Sequence, residues 1–253
     1  MWDVEKYSCI CVLRGHTGEV RSLSFNFDGR LLVSCSADST IRLWDMEKFE
    51  CQNTFRGHIK GVRSVVFSPD GFFIFSGGED HTIRLWDIQK GCCCDVVNQH
   101  TNWVWVVALS PDGKYLASSS DDCTIRLWDI KKQQCIHIFD KHTDRVGALA
   151  FSSNSVFLAS GSADCTIRLW DIKKQQCIHV FDKHSNLVNS LAFSPDDKFL
   201  VSGSSDSTVR LWDIGKHQCL HVFSGYINGI KSLAWHPSNQ FIVSGNDDSM
   251  IRL

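Results

Sequence analysis

An all-β fold built from six equivalent four-stranded units is what this sequence predicts, on three observations. Trp2, Trp44, Trp86, Trp128, Trp170 and Trp212 are each 42 residues apart. The pentapeptide Ile-Arg-Leu-Trp-Asp stands at 41–45, 83–87, 125–129 and 167–171, with Val-Arg-Leu-Trp-Asp at 209–213. Each interval carries short β-branched and apolar runs separated by turn residues. Six units account for residues 2–253 without insertion or deletion, and 123–142 differs from 165–184 only by Ile138 against Val180.

In the first unit the runs are 9–13 (CICVL), 20–25 (VRSLSF), 31–35 (LLVSC) and 40–44 (TIRLW). Arg14-Gly15, Asp28-Gly29 and Ser36-Ala37-Asp38 punctuate them, and later units have Pro69-Asp70-Gly71 and Pro111-Asp112-Gly113. Four such strands in 42 residues mark a propeller blade. Several runs are almost wholly apolar, as expected of strands buried on both faces between neighbouring blades. The strands following each Trp-Asp are named d, a, b and c.

The units resemble the WD-repeat β-propellers, on Gly-His at 15–16 and 57–58 and on Trp-Asp at five internal sites. The resemblance covers the whole chain as one domain, 1–253, and implies four antiparallel strands per blade around a central channel. The expected blades are about 15–56, 57–98, 99–140, 141–182, 183–224 and 225–253, the last completed by 2–14. In that arrangement residues 9–13 supply strand d to strands a–c at about 230–235, 241–245 and 250–253, closing the ring and hiding sheet edges. The break within the motif suggests excision from a longer array.

Four polar columns recur in the units: His16, Ser34, Asp38, Trp44; His58, Ser76, Asp80, Trp86; His100, Ser118, Asp122, Trp128; His142, Ser160, Asp164, Trp170; and His184, Ser202, Asp206, Trp212. A buried indole N–H needs an acceptor, which a serine on the adjacent strand supplies. The hydroxyl then donates to His, and the other ring nitrogen donates to Asp. The resemblance implies that this chain ties the d–a loop to the b–c loop. A Ser-His-Asp catalytic triad is the rival reading, but copies in every unit suit structural staples better than one exposed site. The sixth unit has Tyr226, Ser244 and Asp248, with Trp2 as the expected fourth member. Gln99, Lys141 and Lys183 stand where the family often has Gly, so if Gly serves φ > 0 there, those turns are expected to be strained or to adopt a different conformation.

A net charge of −2 and pI near 6.6 give no electrostatic case for nucleic acid or anionic membrane. The longest apolar run, Trp103–Leu109, is too short to span a bilayer, and the N-terminus lacks a secretory h-region. The twelve cysteines then suit a reducing compartment, cytoplasm first and nucleus second. Cys9, Cys51, Cys93, Cys135, Cys177 and Cys219 share one outer-strand column, a packing position rather than a metal site. Cys92 and Cys94 alternate with Cys93, and His137, His179 and His221 lie in separate blades, so no cofactor is expected.

Propellers related by the resemblance often contact peptides at positions flanking strand a and just before the tetrad Asp. Here the first flank holds Glu19, Gly61, Trp103, Arg145, Leu187 and Gly229. The second holds Arg21, Arg63, Trp105, Gly147, Asn189 and Lys231, and the pre-Asp column Ala37, Glu79, Asp121, Ala163, Ser205 and Asp247. They vary where the tetrads do not, as a specific surface on a common scaffold should. Candidate partner-binding residues are Arg21, Arg63, Glu79, Trp103, Trp105, Asp121, Arg145, Asn189 and Lys231. Trp and Arg dominate binding hot spots, although the two Trp could instead plug the channel. The cations suit an acidic or phosphorylated peptide and the acids a basic or methylated one. Trp235 replaces Phe or Leu at the inner end of strand a and reads as core.

The expected function is therefore a non-catalytic scaffold for a peptide or protein on the d–a/b–c face. The alternatives are a sensor or autoinhibitory module of a nucleotide-binding signalling protein and, more remotely, an enzyme. The expected state is a monomer, with a domain-swapped oligomer as the alternative.

Overall fold

The computed structural model describes residues 2–3, 8–248 and 250–252, with Trp2 and Asp3 as backbone only. The described residues are all-β. The chain divides into two compact units, residues 1–104 and 105–253.

In the first unit β1 (Trp2–Asp3) and β2 (Ser8–Cys9) pair antiparallel, Trp2 opposite Cys9. Two four-stranded meanders follow. One joins β3 (Val20–Phe25), β4 (Leu31–Ser36), β5 (Thr40–Asp45) and β6 (Glu50–Arg56). The other joins β7 (Val62–Phe67), β8 (Phe73–Gly78), β9 (Ile83–Asp87) and β10 (Cys92–Val97). The next sheet holds β11 (Val104–Leu109), β12 (Tyr115–Ser120), β13 (Ile125–Asp129) and β14 (Gln134–Phe139). The second unit continues with β15 (Val146–Phe151), β16 (Phe157–Ser162), β17 (Ile167–Asp171) and β18 (Gln176–Phe181). After these come β19 (Val188–Phe193), β20 (Phe199–Ser204), β21 (Val209–Asp213) and β22 (Gln218–Phe223). The last sheet has three strands, β23 (Ile230–Trp235), β24 (Ile242–Asn246) and β25 (Ile251–Arg252).

Strand b shows why these segments pair. In each four-stranded sheet it is buried after its first residue, on both faces, so apolar and small residues follow one another without alternation. Its register is constant: Leu32 faces Trp44, Leu158 faces Trp170 and Leu200 faces Trp212. A bulge beside the Trp recurs between strands c and d, as between Leu43 and Trp44 and between Leu211 and Trp212.

Beyond the first four-stranded sheet, an inner strand is covered by the sheet before it within its unit. Val62, Val65 and Phe67 of β7 are buried against Val33, Cys35, Ile41 and Leu43. The same columns in β3 hold Val20, Leu23 and Phe25, and these are 48%, 61% and 54% exposed. Burial thus depends on the neighbouring sheet and not on the apolar pattern alone.

One expectation needs correction. The run 9–13 is strand only at Cys9, because Ile10, Val12 and Leu13 have no ladder partner among the described residues. Among the described residues the sixth sheet has three strands, and the only described ladder partner of β25 is β24. Closure by residues 9–13 therefore remains a proposal. In the column before the tetrad His, Gln99, Lys141 and Lys183 have ordinary φ, as does Gly57, whereas Gly15 and Gly225 take 156° and 101°. Of the two expected outcomes, strain or a different conformation, the non-glycine turns take the second, keeping a backbone that any residue adopts.

Candidate functional site

Each tetrad begins on strand c, where the pleat turns the Trp ring inward toward strand b. Trp44 Nε1 donates to Ser34 Oγ at 2.8 Å, and the same bond is 2.8 Å for Trp86–Ser76, Trp170–Ser160 and Trp212–Ser202 and 3.0 Å for Trp128–Ser118. Ser34 Oγ lies 2.7 Å from His16 Nε2, and Asp38 Oδ2 lies 2.9 Å from His16 Nδ1. The same contacts are 2.8 and 2.9 Å at His58, 2.8 and 2.7 Å at His142, and 2.7 and 2.7 Å at His184. A hydroxyl that accepts from Trp donates onward to Nε2, leaving Nδ1–H to donate to the carboxylate. His100 is buried and Asp122 Oδ1 accepts from Thr124 Oγ1 at 2.6 Å.

The carboxylates collect further donors. Asp38 accepts from the Thr17 amide at 2.9 Å and from the amide and hydroxyl of Thr40 at 2.9 and 2.6 Å. Thr82, Thr124, Thr166 and Thr208 repeat the hydroxyl bond. Sequence reasoning missed this threonine column, although the 42-residue spacing marks it as plainly as the others. Burial works to raise the Asp38, Asp80, Asp164 and Asp206 carboxyls, but these donors outweigh it and hold all four below the usual carboxylate range. Burial also lowers the His184 imidazole against the pull of Asp206. In the chains of His16, His58, His142 and His184 the indole N–H, the hydroxyl, both ring nitrogens and the carboxylate all have partners within the fold.

The sixth repeat is different. Ser244 Oγ donates to Tyr226 Oη at 3.3 Å, and Asp248 pairs with Arg252 at 2.8 Å. Tyr226 itself lies 5.1 Å beneath the Arg252 guanidinium. The Trp2 side chain lies outside the described residues.

The variable columns form a separate surface in each unit. In the first, Arg21 Nη1 and Arg63 Nη2 both donate to Glu79 Oε1, at 2.6 and 2.7 Å. Burial raises the Glu79 carboxyl, yet the two arginines more than offset it and keep it ionised. Arg63 also lies 4.8 Å over the Trp103 ring. Gly61 permits this clustering, since a Cβ there would sit 3.0 Å from Glu79 Oε2 and 3.1 Å from Arg21 Nη1. In the second unit Arg145 lies 4.6 Å over Trp105, whose Nε1 donates to Asp121 Oδ1 at 2.5 Å. Asn189 Nδ2 donates to Ser205 Oγ and to the Ile230 carbonyl, at 2.9 and 2.7 Å. Lys231 pairs with Asp247 at 3.2 Å and both are about half-exposed. The rings thus meet arginines rather than open solvent alone, and Asn189 spends its donors inside the fold.

The cysteine and histidine columns stay on outer strands. Cys93 Sγ donates to the Asp95 carbonyl at 3.3 Å and Cys94 Sγ to that of Leu85 at 3.4 Å. His137, His179 and His221 each meet the Phe two residues on edge-to-face, at 4.5 to 4.6 Å. Among the described residues no three His, Cys, Asp or Glu side chains are grouped to hold a metal, and no helix is long and apolar enough to cross a membrane.

Comparison with known proteins matches residues 7–45, 49–87, 91–129, 133–171, 175–213 and 217–253 to the family described as WD domain, G-beta repeat. A stretch of 43 residues, 17% of this chain, is 49% identical to Nuclear distribution protein PAC1-2 of Uncinocarpus reesii (strain UAMH 1704). That match spans 9% of the relative's length. Since the family description fits all six repeats in register, this chain belongs to the WD-repeat β-propeller family.

Proposed function

We propose that this protein is a non-catalytic scaffold that holds a peptide or protein partner on the surface formed by the strand-a flanks and the b–c turns. Members of the family typically serve as protein-interaction scaffolds. One observation carries the assignment to this surface: a half-buried Arg63 packs on Trp103 while it shares Glu79 with Arg21. Such an ordered Arg–aromatic cluster loses little side-chain freedom on binding, which is the property of a hot spot. Trp105 under Arg145 repeats the chemistry in the second unit. Glu79 and Asp247 pair with Arg21, Arg63 and Lys231 of this chain, so the surface offers paired charges and arginine-covered rings rather than free charge of one sign. The reducing interior of the cell, cytoplasm or nucleus, suits a chain with twelve cysteines.

The test is affinity capture with the chain immobilised, comparing the parent with Trp103→Ala, Trp105→Ala and the double variant. The double variant should lose the specifically captured proteins while melting within a few degrees of the parent. Undiminished capture by a folded double variant refutes the assignment of the surface.

A further inference from the structure

Cysteine recurs at one point of outer strand d, and its thiol is occupied there. Cys51, Cys93, Cys135, Cys177 and Cys219 each donate to the carbonyl two residues on, at 3.3 to 3.5 Å. Packing and this bond account for Cys93 but not for its neighbours. In the other regular repeats the positions of Cys92 and Cys94 hold Glu50 and Gln52, Gln134 and Ile136, Gln176 and Ile178, and Gln218 and Leu220. Two extra thiols are thus peculiar to β10, in the first unit.

The local structure brings these two together. Alternation along a strand turns residues i and i+2 to one side. The ladder pairs Cys92 with Asp87 and Cys93 with Trp86, then shifts register, so that Cys94 has no ladder partner before Asp95 meets Leu85. Such a bulge bends the strand and re-aims the unpaired residue. The charges show where both thiols lie: Cys92 and Cys94 are each within electrostatic range of the Lys90 ammonium, which pairs with Asp87 at 3.1 Å. Asp87 in turn acts on Cys94. Both cysteines are exposed, and β10 ends its sheet, so its free edge can deform without breaking a second ladder.

The two thiols are not equivalent. Cys92 has no hydrogen-bond partner among the described residues and lies open beside a cation, the surroundings in which cysteines react. Cys94 Sγ donates to the Leu85 carbonyl at 3.4 Å, and burial, then Cys93 and Asp87, push its thiol up, so it stays protonated.

We propose that Cys92 and Cys94 form a reversible dithiol–disulfide site, with Cys92 as the sulfur that a hydroperoxide oxidises and Cys94 as the sulfur that resolves it. The Cys92 thiolate attacks one peroxide oxygen and breaks the O–O bond, giving Cys92 sulfenic acid. The leaving oxygen takes up the proton that Cys92 gave up and departs as water or an alcohol. The Cys94 sulfur then displaces the sulfenic oxygen, which leaves as water with the Cys94 proton. The two sulfurs lose the two electrons that the peroxide gains. Two residues along a strand span about 6.6 Å, the long end of disulfide reach, so the bond is strained and easily reduced by a dithiol. The site shares no residue with the Arg–Trp surface proposed above.

The reduced 253-residue chain is treated with limiting hydrogen peroxide, its remaining thiols are alkylated with iodoacetamide, and the tryptic peptide 91–114 is sequenced by mass spectrometry. The expected product carries a Cys92–Cys94 disulfide with Cys93 alkylated. It should form before Cys51 is oxidised and return to three alkylated cysteines after dithiothreitol. Cys94→Ser should leave Cys92 as a sulfenic acid that dimedone traps, and Cys92→Ser should abolish both products. Cys93→Ser should leave the disulfide unchanged, with circular dichroism checking that each variant folds. Oxidation of Cys92 no faster than that of Cys51, a disulfide that requires Cys93, or full alkylation of Cys92 and Cys94 after peroxide overturns the proposal.

Discussion

Ser160 serves two buried partners at once, with Trp170 Nε1 and His142 Nε2 each 2.8 Å from its hydroxyl. Ser160→Ala removes one oxygen, leaves no large cavity and strands both partners away from water, so a loss of ~1–3 kcal/mol is expected by urea denaturation. Ser244→Ala should cost less, because its described bond is a single 3.3 Å contact with Tyr226. Equal losses would show that the hydroxyls do not act through these bonds. The tetrads were legible in the sequence because periodic polar residues in an apolar strand must have a shared partner. The threonines were equally periodic, but a threonine beside a turn also reads as ordinary β-propensity. The pairing of Arg63 and Arg21 on Glu79 was not legible, since it joins residues from two sheets whose distance no spacing encodes.

At the scale of elements, one glycine column reports how closely sheets approach. A Cβ on Gly161 would lie 2.6 Å from Val188 Cγ1, and one on Gly203 would lie 2.5 Å from Ile230 Cγ2. Gly245 shares the column and meets nothing within 4 Å. Gly161→Ala or Gly203→Ala should destabilise by about 1–3 kcal/mol through overpacking, while Gly245→Ala should be near neutral in the same melt. The turns carry a second regularity. Ser39, His81, Cys123, Cys165 and Ser207 all have φ between 64° and 68°, each following a tetrad Asp whose carboxylate closes the turn onto the next residue but one. Phe49, Gln133, Gln175 and His217 have φ of 54° to 56°, and Gly91 takes 68° in the same column. Gln133→Gly and Gln175→Gly are therefore expected to raise stability by up to ~1 kcal/mol each, relieving left-handed backbone that nothing polar requires. Strand positions were legible from the apolar runs, and sites of positive φ were not, because residues such as Gln and Phe give no sign of it.

Across the whole molecule the tetrads predict how stability changes with pH. The Asp38, Asp80, Asp164 and Asp206 carboxyls are held below their unfolded values, so their contribution is complete above roughly pH 4 and is lost as pH falls further. His184 is also lowered, so its contribution is present above about pH 6.5 and fades on acidification. Both act in one direction: urea midpoints measured at pH 7, 5 and 3 should fall monotonically, most steeply below pH 4. A flat profile would contradict the staple role of these carboxylates. By itself the sequence determined the all-β class, the six repeats and the strands of the regular repeats, because the 42-residue period and the pleat specify which residues face each other within a sheet. Only the tertiary structure decided which apolar columns are covered and which charges neutralise one another. Those outcomes depend on the surface a neighbouring sheet presents. Identical columns are buried at Val62 and Phe67 and exposed at Val20 and Phe25 for that reason.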